Sequence, residues 1–132
     1  KERWYGFDDA LYAGARMLEI LSQEDKPASD IFDALPDSIN TPELTITFEN
    51  EGENFAFIEA FQNTASFDGA KLTTIDGLRA DYDNGWGLCR ASNTTPSIVI
   101  RFEADDKAAL KSIQDHFKNQ MLAVNADLNL PF

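Results

Sequence analysis

Basic residues are scarce in this chain. Of its 132 residues 11 are Lys or Arg against 23 Asp or Glu, leaving a net charge of −12 and a single His. So acidic a surface repels phosphodiester backbones and anionic headgroups, and neither nucleic acid nor a membrane is an expected partner. The lone Cys89 cannot close an internal disulfide. No apolar run approaches the ~20 residues that span a bilayer, and no charged segment followed by an apolar stretch opens the chain as a secretory signal would. A cytoplasmic location is therefore expected. An initiator Met is missing too, and the opening Lys1-Glu2-Arg3-Trp4-Tyr5-Gly6 reads as part of a larger core, because natural ends are usually polar and frayed. What is plentiful is apolar surface. A hydrophobic content of 43% with ten Phe argues against disorder, at a length that suits one compact domain with an appendage.

Two rhythms divide the chain. Asp8 to Leu21 predicts an amphipathic helix, with Asp8 or Asp9 as cap and Leu11, Ala15, Leu18 and Leu21 at helical spacing. A polar, Pro-bearing connector follows between Ser22 and Pro42, in which Ile31, Phe32 and Leu35 predict a short docking helix. Residues 1–40 are thus expected to form a terminal helix and linker, and residues 41–132 the main domain. There Leu44–Phe48 alternates as a strand, and Asn54–Ala65 predicts a helix with a stripe of Phe55, Ile58, Phe61, Gln62 and Ala65. Lys71–Ile75, Leu78–Tyr82 and Trp86–Cys89 are strands separated by Asp76-Gly77 and Asp83-Asn84-Gly85 turns. A β-branched strand, Ser97–Glu103, precedes a long helix capped by Asp105 or Asp106 and striped by Leu110, Ile113, Phe117, Met121 and Val124. The order β-α-β-β-β-β-α predicts an α+β fold, an antiparallel sheet with helices packed on one face.

Chemistry concentrates in Gly85–Pro96. From Trp86 to Arg101 there are two Arg and no acid, where an even spread of the acids would place about three. Arg90 offers a planar fork of donors, Ser92, Thr94 and Thr95 offer hydroxyls, and Asn93 offers an amide. A loop ahead of Pro96 can also turn backbone N–H groups inward. That composition suits a dianion, with Arg90 dominating because charge-assisted hydrogen bonds are the stronger ones. Ser-Asn-Thr-Thr-Pro is equally what an ordinary turn contains, so composition leaves both readings open.

The runs Asp76-Gly77-Leu78-Arg79, Gly85-Trp86-Gly87, Arg90-Ala91-Ser92-Asn93-Thr94-Thr95-Pro96 and Arg101-Phe102-Glu103-Ala104 closely resemble the C-terminal domain of bacterial phosphomannomutase/phosphoglucomutase, in the α-D-phosphohexomutase superfamily. The likeness covers nearly the whole chain, with Lys1–Asp9 similar to the segment after that family's sugar-binding loop. It implies that residues 1–40 end the family's third domain and that residues 41–132 are its fourth, a TATA-binding-protein-like layer. It also implies an isomerase that interconverts 1-phospho and 6-phospho mannose or glucose through a bisphosphate intermediate, using a phosphoserine and Mg²⁺. The family's serine, metal-binding Asp loop and Glu-Met-Ser motif belong to domains whose segments have no counterpart in this sequence, so no catalytic or metal-binding residue carries over. What carries over is the phosphate loop. Arg90, Ser92, Asn93 and Thr94, with Thr95 at the margin, would hold the substrate's non-reacting phosphate, while the connector around Asp33 to Thr41 would let the domain close on the phosphosugar beside the upstream domains. Phosphoglucosamine mutase is the neighbouring alternative, but its loop characteristically has Gly in place of Asn93 and Glu in place of Thr95. A stand-alone anion-binding or protein-interaction module is the alternative outside the family.

Other residues have plainer readings. Asn93-Thr94-Thr95 spells a glycosylation sequon by coincidence in a cytoplasmic chain. Cys89 departs from the family's aliphatic residue and reads as a small buried hydrophobe. His116 has no Cys or His neighbour to share a metal. The pairs Asp8-Asp9, Glu51/Glu53 and Asp105-Asp106 suit helix starts. Alternation from Ser97 does not settle whether Arg101 faces the phosphate or pairs with an acid.

Overall fold

The computed structural model of the chain describes residues 3–132. Lys1 and Glu2, which open the segment likened to the end of the third domain, lie outside the described residues. The chain divides into two compact units, Lys1–Asp37 and Ser38–Phe132.

In the first unit α1 (Ala10–Leu21) starts on Asp9, whose side chain accepts the Tyr12 N–H at 2.8 Å and satisfies one amide that a helix start leaves unpaired. Trp4 stacks on Tyr12 with ring centroids 4.2 Å apart, and Arg3 donates to Glu19 at 2.6 Å. The side-chain hydrogen bond to Arg3 holds the Glu19 carboxyl below its ordinary range. The short connector helix forms as α2 (Ala28–Asp33), with Phe32 and Leu35 on its exposed side.

The second unit is a two-layer α+β structure of the expected kind. Its strands are β1 (Ile39–Asn40), β2 (Leu44–Thr47), β3 (Lys71–Thr73), β4 (Leu78–Tyr82), β5 (Gly85–Ala91) and β6 (Ser97–Ala104). They form one antiparallel sheet in the order β1-β6-β5-β4-β3, with β2 also pairing β6. Two helices, α3 (Glu53–Thr64) and α4 (Lys107–Val124), cover one face. The period of two along a strand separates the faces. Leu78, Ala80, Cys89, Ala91, Ile98, Ile100 and Phe102 are buried beneath the helices, while Arg79, Leu88, Arg90, Val99 and Arg101 alternate onto the open face. Phe117 of α4 is fully buried and lies against Phe61, Phe67 and Phe102, and it presses so closely on Gly87 that a Cβ there would strike its ring.

Three details differ from the sequence reading. Ile39 and Asn40 form a strand on β6, two residues before the main domain was expected to begin, because Thr41 ties them down: its N–H donates to Phe102 O at 3.0 Å and its Oγ1 accepts the Phe102 N–H at 3.1 Å. Strand β5 continues through Arg90 and Ala91, since Ala91 still finds a partner in Ile98. The buried stripe of α3 is Asn54, Phe57, Ile58 and Phe61, whereas Phe55 is 51% exposed. The two stripes share Ile58 and Phe61 and differ in which Phe joins them; Phe57 is the one that packs inward, with ring centroids 5.8 Å from Phe61 and 5.9 Å from Phe48.

Candidate functional site

The end of β5 delivers Arg90 to the open face, between the buried Cys89 and Ala91. The β3–β4 turn comes up beside it. Gly77 has φ +75°, and a Cβ there would run into the carbonyl of Cys89 and the backbone of Arg90, so only glycine lets this turn lie so near the strand. That approach brings Asp76 to 4.0 Å from Arg90, at a site where Asp76 is 68% exposed. A contact that long and wet leaves the guanidinium available to another anion.

Beyond Ala91 the Ser92 N–H donates to Ser97 O at 2.8 Å and closes a loop of Asn93, Thr94, Thr95 and Pro96. Within it, donors converge on one oxygen. Ser92 Oγ accepts the backbone N–H groups of Thr94 and Thr95, each at 3.3 Å, and the Thr95 hydroxyl at 3.0 Å. Thr95 Oγ1 also lies 2.7 Å from Ser97 Oγ. Successive amides aimed at a common acceptor form the kind of concavity that receives an anion oxygen. Ser92, Thr94 and Thr95 are thereby brought together, and Asn93 stands exposed at the tip.

On its other side the loop borders a cleft of about 290 Å³, shared with Glu51, Gly52, Asn54 and Phe55 at the start of α3. Arg90 does not line this cleft among the described residues, so cleft and guanidinium approach the loop from the two faces of the sheet. Glu51 makes the helix side unfavourable to a dianion, and the open face bearing Arg90 favourable. Next to the cleft, Glu53 reaches back to Asn50, accepting its N–H at 3.1 Å and its side-chain Nδ2 at 2.8 Å. Those hydrogen bonds hold the Glu53 carboxyl below its usual range.

Asn54 is the residue that the sequence reading missed. It is 1% exposed, and its Nδ2 donates to the carbonyls of Ser92, Thr95 and Ser97 at 2.9, 3.3 and 3.2 Å. The available signal was a polar residue one turn before Phe57 and Ile58 on the core stripe.

The remaining candidates separate cleanly. Arg101 is exposed on the open face opposite Leu88, diagonal to Arg90, and forms no ion pair among the described residues. Cys89 is fully buried, and burial pushes its thiol up, away from the reactive thiolate. His116 sits on the outer face of α4 with its Nδ1 3.0 Å from the Tyr82 hydroxyl. Desolvation raises the Tyr82 phenol, helped by the charge of Asp68. Of the acidic pairs, Asp9 caps α1 and Asp106 caps α4 by accepting the Ala109 N–H at 2.8 Å, whereas α3 starts on Gly52 with no side-chain cap from Glu51 or Glu53. Among the described residues no three His, Cys, Asp or Glu side chains gather as metal ligands, and no helix is long and apolar enough to cross a membrane.

Comparison with known proteins agrees with the resemblance carried by Arg90–Pro96. A phosphomannomutase/phosphoglucomutase of Pseudomonas putida is 55% identical over 132 residues, which is 100% of this chain and 28% of that protein. A phosphoglucomutase of Neisseria gonorrhoeae is 56% identical over 119 residues, covering 89% of this chain and 26% of its own length. The crystal structure of a phosphoglucomutase/phosphomannomutase family protein from Burkholderia thailandensis matches 100% of this chain and 27% of its own at a TM-score of 0.83 and 48% identity. The chain thus spans little more than a quarter of the length of these relatives. Residues 43–120, more than half of the chain, fit the family model described as phosphoglucomutase/phosphomannomutase, C-terminal domain. By that match and by the fold it shares with a solved member, the chain belongs to the phosphoglucomutase/phosphomannomutase family.

Proposed function

We propose that this chain is the C-terminal part of a cytoplasmic phosphohexomutase that interconverts 1-phospho and 6-phospho mannose or glucose, and that Arg90, Ser92, Asn93, Thr94 and Thr95 hold the substrate phosphate that is not reacting. The observation that carries the reading is the convergence of two loop amides and a hydroxyl on Ser92 Oγ, beside a guanidinium whose only ion pair among the described residues is 4.0 Å long. A phosphate oxygen reaching this loop from the open face exchanges the Ser92 oxygen for its own as acceptor. Arg90 adds the charge that neutral donors lack, and charge-assisted hydrogen bonds are roughly twice as strong as neutral ones.

Holding the distal phosphate is a positioning task. Its binding energy orients the reacting oxygen at the far end of the sugar, so losing it harms the chemical step as well as affinity. The transfer itself would come from a phosphoserine and a magnesium ion held by upstream domains, as the family resemblance implies. The described residues gather no ligand set for a metal, so the roles assigned here are binding, orientation and exclusion of water. Closure over the substrate would turn on the connector around Asp33 to Thr41.

Steady-state kinetics of Arg90→Ala in the full-length enzyme test the reading. A fall in kcat/KM for glucose 1-phosphate, with the thermal midpoint unchanged, is the expected result, and an unaltered kcat/KM refutes the assignment. The coding sequence upstream of Lys1 tests the wider reading. A serine-histidine motif is expected there, and a start codon close to Lys1 contradicts it.

A further inference from the structure

We infer that Asn54, on the opposite side of the loop from Arg90, is a positioning residue that holds the phosphate loop in its receiving shape and turns the Asn93 N–H toward the phosphate. The inference rests on the reading of Arg90–Thr95 given above. Asn54 is 1% exposed in the first turn of α3 and reaches across 38 to 43 residues of sequence to three loop carbonyls. Two of these have backbone partners as well: Thr95 O accepts the Ser97 N–H at 2.7 Å and Ser97 O accepts the Ser92 N–H at 2.8 Å. Ser92 O depends on Asn54, at 2.9 Å, for its hydrogen bond among the described residues.

The other end of the amide makes the case. Asn54 Oδ1 is buried and has no hydrogen-bond partner among the described residues. Such an orphan is costly and calls for an explanation. Flipping the amide would aim Oδ1 at three carbonyl oxygens, so the side chain keeps its donors on the loop and leaves its acceptor unmet. A residue selected only to fill the core would be apolar at this point on a stripe of Phe57, Ile58 and Phe61.

Peptide geometry carries the effect through the loop. In a planar trans peptide the carbonyl and the following N–H point in opposite directions. Drawing Ser92 O toward α3 therefore turns the Asn93 N–H away from α3, to the side of the open face. Among the described residues that N–H has no acceptor. It stands as an unused donor beside the amides of Thr94 and Thr95, and a phosphate oxygen is the acceptor it lacks.

The test compares Asn54→Leu and Asn54→Asp with Arg90→Ala and Ser92→Ala in the full-length enzyme, turning over glucose 1-phosphate. Leucine keeps the volume and removes both donors and the orphan oxygen. Aspartate keeps the shape and sets acceptors against the carbonyls. Both are expected to lower kcat/KM roughly ten- to hundredfold, the scale of a displacement of about 1 Å at a positioning group, while Asn54→Leu keeps the wild-type thermal midpoint. Adding Asn54→Leu to Arg90→Ala costs less than it does alone, because the two act on one bound group. Wild-type kcat/KM in Asn54→Leu, with Arg90→Ala impaired, overturns the role of Asn54 and leaves the phosphate loop standing. Wild-type kcat/KM in both Arg90→Ala and Ser92→Ala removes the loop reading itself. Should the Asn54 variants fail to fold, amide exchange in the wild-type enzyme decides: glucose 1-phosphate slows exchange at Asn93, and an unchanged rate there overturns the inference.

Discussion

Strand β5 ends in two turns of opposite character. At one end the chain passes from Tyr82 to Gly85 through Asp83 and Asn84 alone, and the neighbouring side chains Asp81, Glu103 and Asp105 line a shallow acidic hollow. At the other end it takes Asn93, Thr94, Thr95 and Pro96 to pass from Ser92 to Ser97, surrounded by hydroxyls, with Arg90 on the flank. Reversing direction needs only the two residues, so the longer turn carries length and polar groups that topology does not demand. Charge follows the same division, acids at the short turn and Arg90 at the long one, which gives an anion one end of the strand to prefer. The long turn is also anchored from behind by Asn54, whereas the short one is held through its backbone, with Asp105 N–H donating to Asn84 O at 3.0 Å.

The two turns share one strand, and damage to its middle is expected to abolish the contrast. Phe117→Ala, which empties the space over Gly87, should cost about 3–5 kcal/mol in urea unfolding and loosen both ends together. A loss under about 1 kcal/mol would show that the sheet holds its shape without that ring. Next in size, Arg90→Ala should lower kcat/KM of the full-length enzyme roughly tenfold to hundredfold, the worth of a hydrogen bond to a charged group, while the stability of this half-exposed position stays within about 0.5 kcal/mol. Ser92→Ala removes the oxygen on which the loop donors meet. It should cost about 1 kcal/mol of stability and raise KM more than it lowers kcat, and a wild-type KM would mean that the loop keeps its form without that hydroxyl. The smallest effect belongs to the short turn, where Asp83→Ser should stay within about 0.5 kcal/mol and leave kcat/KM unchanged. A kinetic defect there as large as that of Arg90→Ala would erase the distinction between the turns.

Much of this could be read along the chain. Leu44–Phe48 announces its strand by alternation, Leu78–Tyr82 by the Gly-bearing turns that flank it and Ser97–Glu103 by its β-branched run, and Asp9 and Asp106 cap their helices because a short acidic side chain reaches the first amides. Arg90 and the hydroxyls of Ser92, Thr94 and Thr95 stood out by composition in an acidic chain. Two-residue β1 was invisible, since Ile39-Asn40 has no periodicity to display and exists because Thr41 bonds to Phe102. The phase of α3 is not legible along the chain, because Phe55 and Phe57 offer competing stripes and only the sheet beneath distinguishes them.

Side-chain periodicity and capping are local, so the order of elements, their faces and the residues offered to an anion were written into neighbouring positions. Which groups meet is a matter of distance across the fold. The nearness of Asp76 to Arg90, and the grip of Asn54 on carbonyls 38 to 43 residues away, arise only when the β3–β4 turn and α3 settle on the sheet. Helical spacing could place Asn54 on a stripe. Burial against the β5–β6 loop, where each amino hydrogen must find an oxygen, gave that side chain its partners.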